Sequence, residues 1–197
     1  ENIITDIVVA THGHSDHVAD ALPIATKNKA PIVTMVELAW LLQEKDHSII
    51  IHDLNFSGSV NIKGIKITAV PAMHSSSYED KYAGNPGGMI LDNGKIRIYH
   101  AGDTGLFSDM KMIGEVYRPD IAMLPIGGHY TMDPHDAIRA INMIKPKIVI
   151  PMHFNTFDMI KQDAELFRKN VQEKTDAIAI VPLIEEEIKI DSKQLNN

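Results

Sequence analysis

From residue 11 to residue 17 the chain reads Thr-His-Gly-His-Ser-Asp-His, and residues 3–10 before it form an apolar run rich in β-branched side chains. Such a run predicts a buried strand, and the polar, glycine-bearing stretch after it predicts a loop at the strand's end. Imidazole and carboxylate are the ligands of borderline divalent ions, Zn²⁺ first, with Mn²⁺ or Fe²⁺ as competitors. In extended backbone, residues i and i+2 point the same way, so His12 and His14 can grip one ion. Asp16 and His17, at the turn into a helix, can face a second. Gly13 lets the backbone bend between them. The bland alternative is a solvated loop that happens to hold histidine. Three His and one Asp within six residues weigh against it.

Composition narrows the class. The 197 residues suit one domain, or two small ones sharing a core. Hydrophobic residues at 44% and charged residues at 23% exclude disordered, collagen-like and coiled-coil chains. No apolar run reaches the ~18–20 residues of a membrane span, so no membrane partner is expected. Residue 1 is Glu, and no basic segment followed by an apolar one leads the chain, so no signal peptide is visible. The absence of cysteine excludes disulfide scaffolds, Cys-ligated zinc, iron–sulfur clusters and thiol nucleophiles. It also suits the expected cytoplasmic location. With 19 Lys+Arg against 26 Asp+Glu the net charge is −7, and no basic run exists. Nucleic acid is therefore not an expected partner; a small-molecule substrate is.

The chain alternates. After the first strand come a helix with Val18, Ala21, Leu22 and Ala25 on one face, a strand at 31–34, a helix at 35–44 and a strand at 49–51. The middle third is hairpin-rich, with strands at 60–62, 65–70, 88–91 and 96–99. Asn93-Gly94 predicts a type I′ turn, in which both central residues need positive φ. Residues 72–86 form a long polar loop of the kind that is usually functional. The last third predicts a helix capped by Ser108, a strand at 121–124, and a helix started by Asp133-Pro134. A strand at 147–150, a helix at 158–174 and strands at 177–181 and 187–190 follow. Strands interleaved with helices mean an α/β fold with mixed sheets.

Further metal-ligand types recur at other strand ends. His74 follows the strand at 65–70, Asp103 the strand at 96–99, and His153 the strand at 147–150. Loops at strand ends are where α/β proteins gather their functional groups. Seven candidate ligands on four loops suffice for two ions.

These phrases resemble the metallo-β-lactamase superfamily, whose H-x-H-x-D-H motif reads HGHSDH here, followed by isolated His, Asp and His in the expected order. More narrowly, the chain is similar to metal-dependent hydrolases related to the ascorbate-6-phosphate lactonases. THGHSDH, AMHSSS, YHAGDTGLFSDM, LPIGGHYTMDP and IPMHFNTF carry that likeness and span most of residues 6–160. The resemblance implies a four-layer αββα sandwich with mixed sheets, as a single domain over 1–197. It implies one ion on His12, His14 and His74, a second on Asp16, His17 and His153, and Asp103 bridging the pair. In two-metal sites the ions sit ~3.5–4 Å apart and share a water. A metal lowers the pKa of that water to ~7, so a bridging hydroxide is available as nucleophile. Two dications, two carboxylates and one hydroxide leave about +1 at the site, which favours an anionic substrate. Asp16 and Asp103 are thus expected to act in catalysis as well as in binding.

His129, after the strand at 121–124 and two glycines, is expected to be a general acid or a substrate-binding group. A structural, hydrogen-bonded histidine is the alternative. Ser75, Ser76, Ser77, Thr104, Asn155 and Thr156 are expected to support ligands or loops. His47, His52 and His135 read as surface, and Met35, Met110, Met112, Met123, Met143 and Met152 as core.

The activity expected is hydrolysis of an ester-like bond, a lactone or a phosphodiester, in a small soluble metabolite. A nuclease-like phosphodiesterase and a non-hydrolytic metal-binding or regulatory module are the competing classes. One departure stands out. Relatives of this type carry several strands before H-x-H-x-D-H, whereas here about one precedes it. The expectation is an N-terminally incomplete sandwich, a fragment of a longer product with the rest on another chain or not recorded, because an open sheet edge is costly. A homo-oligomer or a separate N-terminal segment is the expected macromolecular partner.

Overall fold

The computed structural model describes residues 3–184, 186–190 and 195. Three parallel strands, β1 (Val8–Val9), β2 (Ile32–Met35) and β3 (Ile51–Leu54), make a small sheet in the order β1-β2-β3. The first is shorter than the apolar run predicts. Thr5 leaves the ladder because its N–H donates to Asn28 Oδ1 and its hydroxyl to the Ile7 carbonyl. Helices α1 (Ser15–Val18), α2 (Ala21–Asn28) and α3 (Val36–Lys45) connect these strands. The expected single helix after residue 14 is stepped into α1 and α2. Pro23 has no N–H for the Ala19 carbonyl and its ring crowds that carbonyl.

The larger sheet contains β4 (Ser59–Ile62), β5 (Ile65–Pro71), β8 (Gly87–Asp92) and β9 (Arg97–His100). It continues through β10 (Ile121–Pro125), β11 (Ile148–Met152) and β12 (Ile178–Ala179), in the order β12-β11-β10-β9-β8-β5-β4. Strands β9 to β12 run parallel, while β8 is antiparallel to both β5 and β9. The long loop after β5 folds into a small hairpin of its own, β6 (Ser77–Tyr78) and β7 (Lys81–Tyr82). In the β8–β9 turn only Gly94 has positive φ (80°). The type I′ expectation is therefore corrected: Asn93 Oδ1 instead accepts from the N–H groups of Lys95 and Ile96, closing a longer turn.

Helix α4 (Met110–Tyr117) starts at Asp109 with no side-chain cap, so Ser108 does not serve as one. In α5 (Pro134–Ile144), Asp133 accepts from the Asp136 N–H at 2.8 Å and Pro134 takes the first turn, as predicted. The helix expected over 158–174 divides into a 3-10 turn, Asp158–Ile160, and α6 (Ala164–Lys174). Asp163 caps the restart by accepting from the Leu166 N–H. Residues 187–190 form no strand, and of the acidic run 185–187, Glu185 lies outside the described residues.

The strand period of two sorts side chains into layers. Ile32 packs with Leu38 and Leu42 of α3, while Val33 and Met35 face Ile67, Ala69 and Met89 of the larger sheet. Val70, Ile90 and Tyr99 point the other way, onto Met110, Ala137 and Phe167 of α4, α5 and α6. The result is the helix–sheet–sheet–helix sandwich expected of the sequence. Met112 is corrected: it is exposed on α4 rather than part of the core.

Candidate metal centre

Since β5 and β9 are both antiparallel to β8, and β9, β10 and β11 are parallel, the C-terminal ends of β5, β9, β10 and β11 share one edge of the larger sheet. The end of β1 meets them there from the smaller sheet. His12 and His14 leave β1, with Asp16 and His17 in α1. His74 leaves β5, Asp103 leaves β9 and His153 leaves β11.

All seven come together in two groups. One is His12, His14 and His74; the other is Asp16, His17, Asp103 and His153. In each, one nitrogen or oxygen per residue lies within 4.8 Å of the rest. His12 Nε2 is 3.0 Å from His14 Nδ1. Asp103 Oδ2 stands between the groups, at 3.3 Å from His17 Nε2, 3.2 Å from His153 Nε2 and 3.6 Å from His74 Nε2. Asp16 Oδ2 is 3.3 Å from His17 Nε2 and 3.5 Å from His153 Nε2. Donor atoms around a tetrahedral ion at 2.0–2.2 Å are separated by about 3.3–3.6 Å, so this spacing fits metal ligation.

Burial and charge agree with that fit. His17 Nε2, Asp103 Oδ1 and His153 Nδ1 are buried with no well-directed hydrogen bond. Buried polar atoms left this way are costly unless something pairs with them. Burial, and then the charge of His17, push His12 down to about 3, so its ring stays neutral with a free lone pair. Burial likewise lowers His74. For His17 burial is outweighed by the Asp103 and Asp16 carboxylates, and the net shift is upward. Burial pushes Asp103 up, but His17, His153 and His12 outweigh it and hold the carboxyl below its usual range, so it is ionised.

The support is backbone-deep. Thr11 Oγ1 lies 3.1 Å from His12 Nδ1, which leaves Nε2 facing His14. Thr11 is a participant the sequence alone did not single out; its place beside the first ligand was the available signal. Gly13 has no positive φ, so what demands glycine there is space rather than a left-handed backbone. A Cβ there would meet Ala83 Cβ at 2.7 Å and the Ser77 carbonyl at 2.9 Å. Its N–H donates to Ser76 Oγ, which ties the motif to the β6–β7 hairpin. Thr104 Oγ1 accepts from the Met73 N–H at 2.9 Å, fastening the His74 loop to the Asp103 loop. His153 and Asn155 have φ of 53° and 62°, a left-handed conformation that costs non-glycine residues energy and clusters at functional sites.

His129 is not in either group. It sits exposed on the loop after β10, its ring edge-on to Tyr130 at 4.5 Å. His100 accepts from the Gly102 N–H and is lowered by burial, a structural role. His47 and His135 are exposed, as expected, and His52 is half-buried. Among the described residues no helix is long and apolar enough to cross a membrane.

The Beta-lactamase superfamily domain matches residues 4–154. A UPF0173 metal-dependent hydrolase of Thermoplasma volcanium is 48% identical over 190 residues, covering 96% of this chain and 83% of that protein. One from Thermoplasma acidophilum is 49% identical with the same coverage. The solved structure of a metallo hydrolase from Ignicoccus hospitalis is 41% identical with a TM-score of 0.84, over 92% of this chain and 77% of that one. With its donor groups at the shared sheet edge, the chain belongs to the beta-lactamase superfamily, among the UPF0173 metal-dependent hydrolases.

Proposed function

We propose that the protein is a two-ion hydrolase of a small molecule with an ester-like bond, a lactone or a phosphodiester. The observation that carries this reading is the position of Asp103 Oδ2, 3.2–3.6 Å from nitrogens of both donor groups. On this reading His12, His14 and His74 hold one divalent ion, Asp16, His17 and His153 hold the other, and Asp103 is shared. Zinc suits the all-nitrogen and carboxylate donor set, with manganese or iron as competitors. Bound ions of this kind lower the pKa of water to ~7 and polarise a carbonyl or phosphoryl oxygen.

The chain's own residues do the rest. Asp103, almost fully buried, holds the two donor groups at a fixed separation. Asp16, 60% exposed, presents its carboxylate to solvent and is placed to take a proton from an attacking water. His129, on the neighbouring rim, is the group we assign to protonate the leaving oxygen. The test joins metal analysis to turnover. The wild-type chain should carry close to two ions and hydrolyse a member of a lactone and aryl-phosphodiester panel. Asp103→Ala should lower kcat/KM by about 10³-fold or more, a loss on the scale of removing a principal electrostatic group. Full turnover by Asp103→Ala, or in excess chelator, overturns the proposal.

A further inference from the structure

The loops around the donor groups are unusual in what they lack. Residues 11–17, 72–80, 101–109, 126–133 and 153–160 contain no Lys and no Arg. The lysines that flank these stretches, Lys81 and Lys161, are each paired with a carboxylate, Glu44 and Asp158.

What those loops offer instead is apolar surface turned to solvent. Met73, Tyr130, Phe157 and Met159 are 45–61% exposed although the protein has ample core to hide them. Tyr130 lies 6.3 Å from Phe157, ring to ring, and its hydroxyl is 3.9 Å from Met159 Sδ. Phe157 and Met159 follow His153 on one loop. Met73 immediately precedes His74, and its carbonyl accepts from the Gly105 N–H beside Asp103. Exposed apolar groups gathered at one place mark a binding surface. A cleft of about 630 Å³ also opens beside His14, with Asp16, Glu79 and Asp80 on its walls and no Lys or Arg among its lining residues, Glu79 being held by Lys45 at 2.6 Å. The loops thus offer apolar side chains and carboxylates.

We infer that the substrate carries an uncharged aryl or alkyl body, seated on Met73, Tyr130, Phe157 and Met159. A second anionic group, such as a distal phosphate or carboxylate, is excluded. This rests on the hydrolase reading above and adds its substrate class: a single reacting ester-like group with an apolar remainder. Tyr130 and Phe157 are then specificity-determining residues.

The experiment is calorimetric titration of the metal-loaded protein with three hydroxamates that share one metal-seeking head. Acetohydroxamate has no body, 4-phenylbutanohydroxamate has an aryl body, and the monohydroxamate of succinate has a distal carboxylate. The aryl compound should bind about tenfold more tightly than acetohydroxamate, from apolar area removed from water. The succinate compound should bind no more tightly than acetohydroxamate. Tyr130→Ser with Phe157→Ser should reduce the aryl advantage to about twofold while leaving acetohydroxamate affinity unchanged. Methyl carbon resonances of Met73 and Met159 should move with the aryl compound alone. Equal affinities, no binding by the aryl compound, or preference for the distal carboxylate each overturns the inference. Turnover of small unsubstituted esters, lost in Asp103→Ala, is the separate check on hydrolysis. The apolar seat can therefore fail while hydrolysis stands, and the reverse.

Discussion

Thr11 shows how a single hydroxyl can set the chemistry of a neighbour. Its oxygen lies 3.1 Å from His12 Nδ1, and engaging that nitrogen fixes the ring with Nε2 turned toward His14. Thr11→Val keeps the shape and removes the partner. It should weaken metal affinity by about 10–100-fold, read by competition with a chromogenic chelator, with little change in fold. The convergence of the seven candidate donors was legible because imidazoles and carboxylates placed just past predicted strands have few other uses. The geometry behind them was not. The crowding around Gly13 depends on a segment distant in sequence, the hairpin at 77–82, and the left-handed backbone at His153 carries no residue type that announces it.

Among the elements, α5 is the one whose start was fully written in local chemistry. An aspartate followed by proline satisfies an orphan N–H and pre-sets φ, and both act within four residues. Asp133→Ala should cost about 1 kcal/mol and lower Tm by about 2–4 °C, read by thermal melting. Elements set by tertiary partners read less well. The split at 161–163 arises where Gln162 donates its N–H to Asn155 Oδ1 on the His153 loop, so a helix is interrupted to hold the site. The shortness of β1 likewise follows from a bond between Thr5 and Asn28, 23 residues apart.

At the scale of the whole molecule, alternation of strand and helix predicted the layers, but not the order in which seven strands lie in the larger sheet. That order is decided by which faces bury together, and no local pattern encodes it. The same long-range assembly predicts a response to chelation. With ions removed, Tm should fall by about 10 °C, since a ligand at 1,000 times its Kd contributes about 4 kcal/mol. The chelated protein should also weaken as pH drops below about 6.5. His12, His74 and His100 have folded pKa values below the ordinary 6.5, so the unfolded chain takes up their protons first. His17, raised, acts in the opposite sense, its contribution fading as pH rises through its folded value. Below pH 3.8 the depressed Asp103 adds to the acid loss. Melting curves from pH 8 to 3 in chelator read this directly, and a Tm that rose on acidification to pH 5 would contradict it.

Both donor groups draw from both halves of the sandwich: His12 and His14 with His74, and Asp16 and His17 with Asp103 and His153. Neither half owns a complete grip. Cation uptake and the clasping together of the two sheets are therefore coupled, and a lapse in one registers in the other.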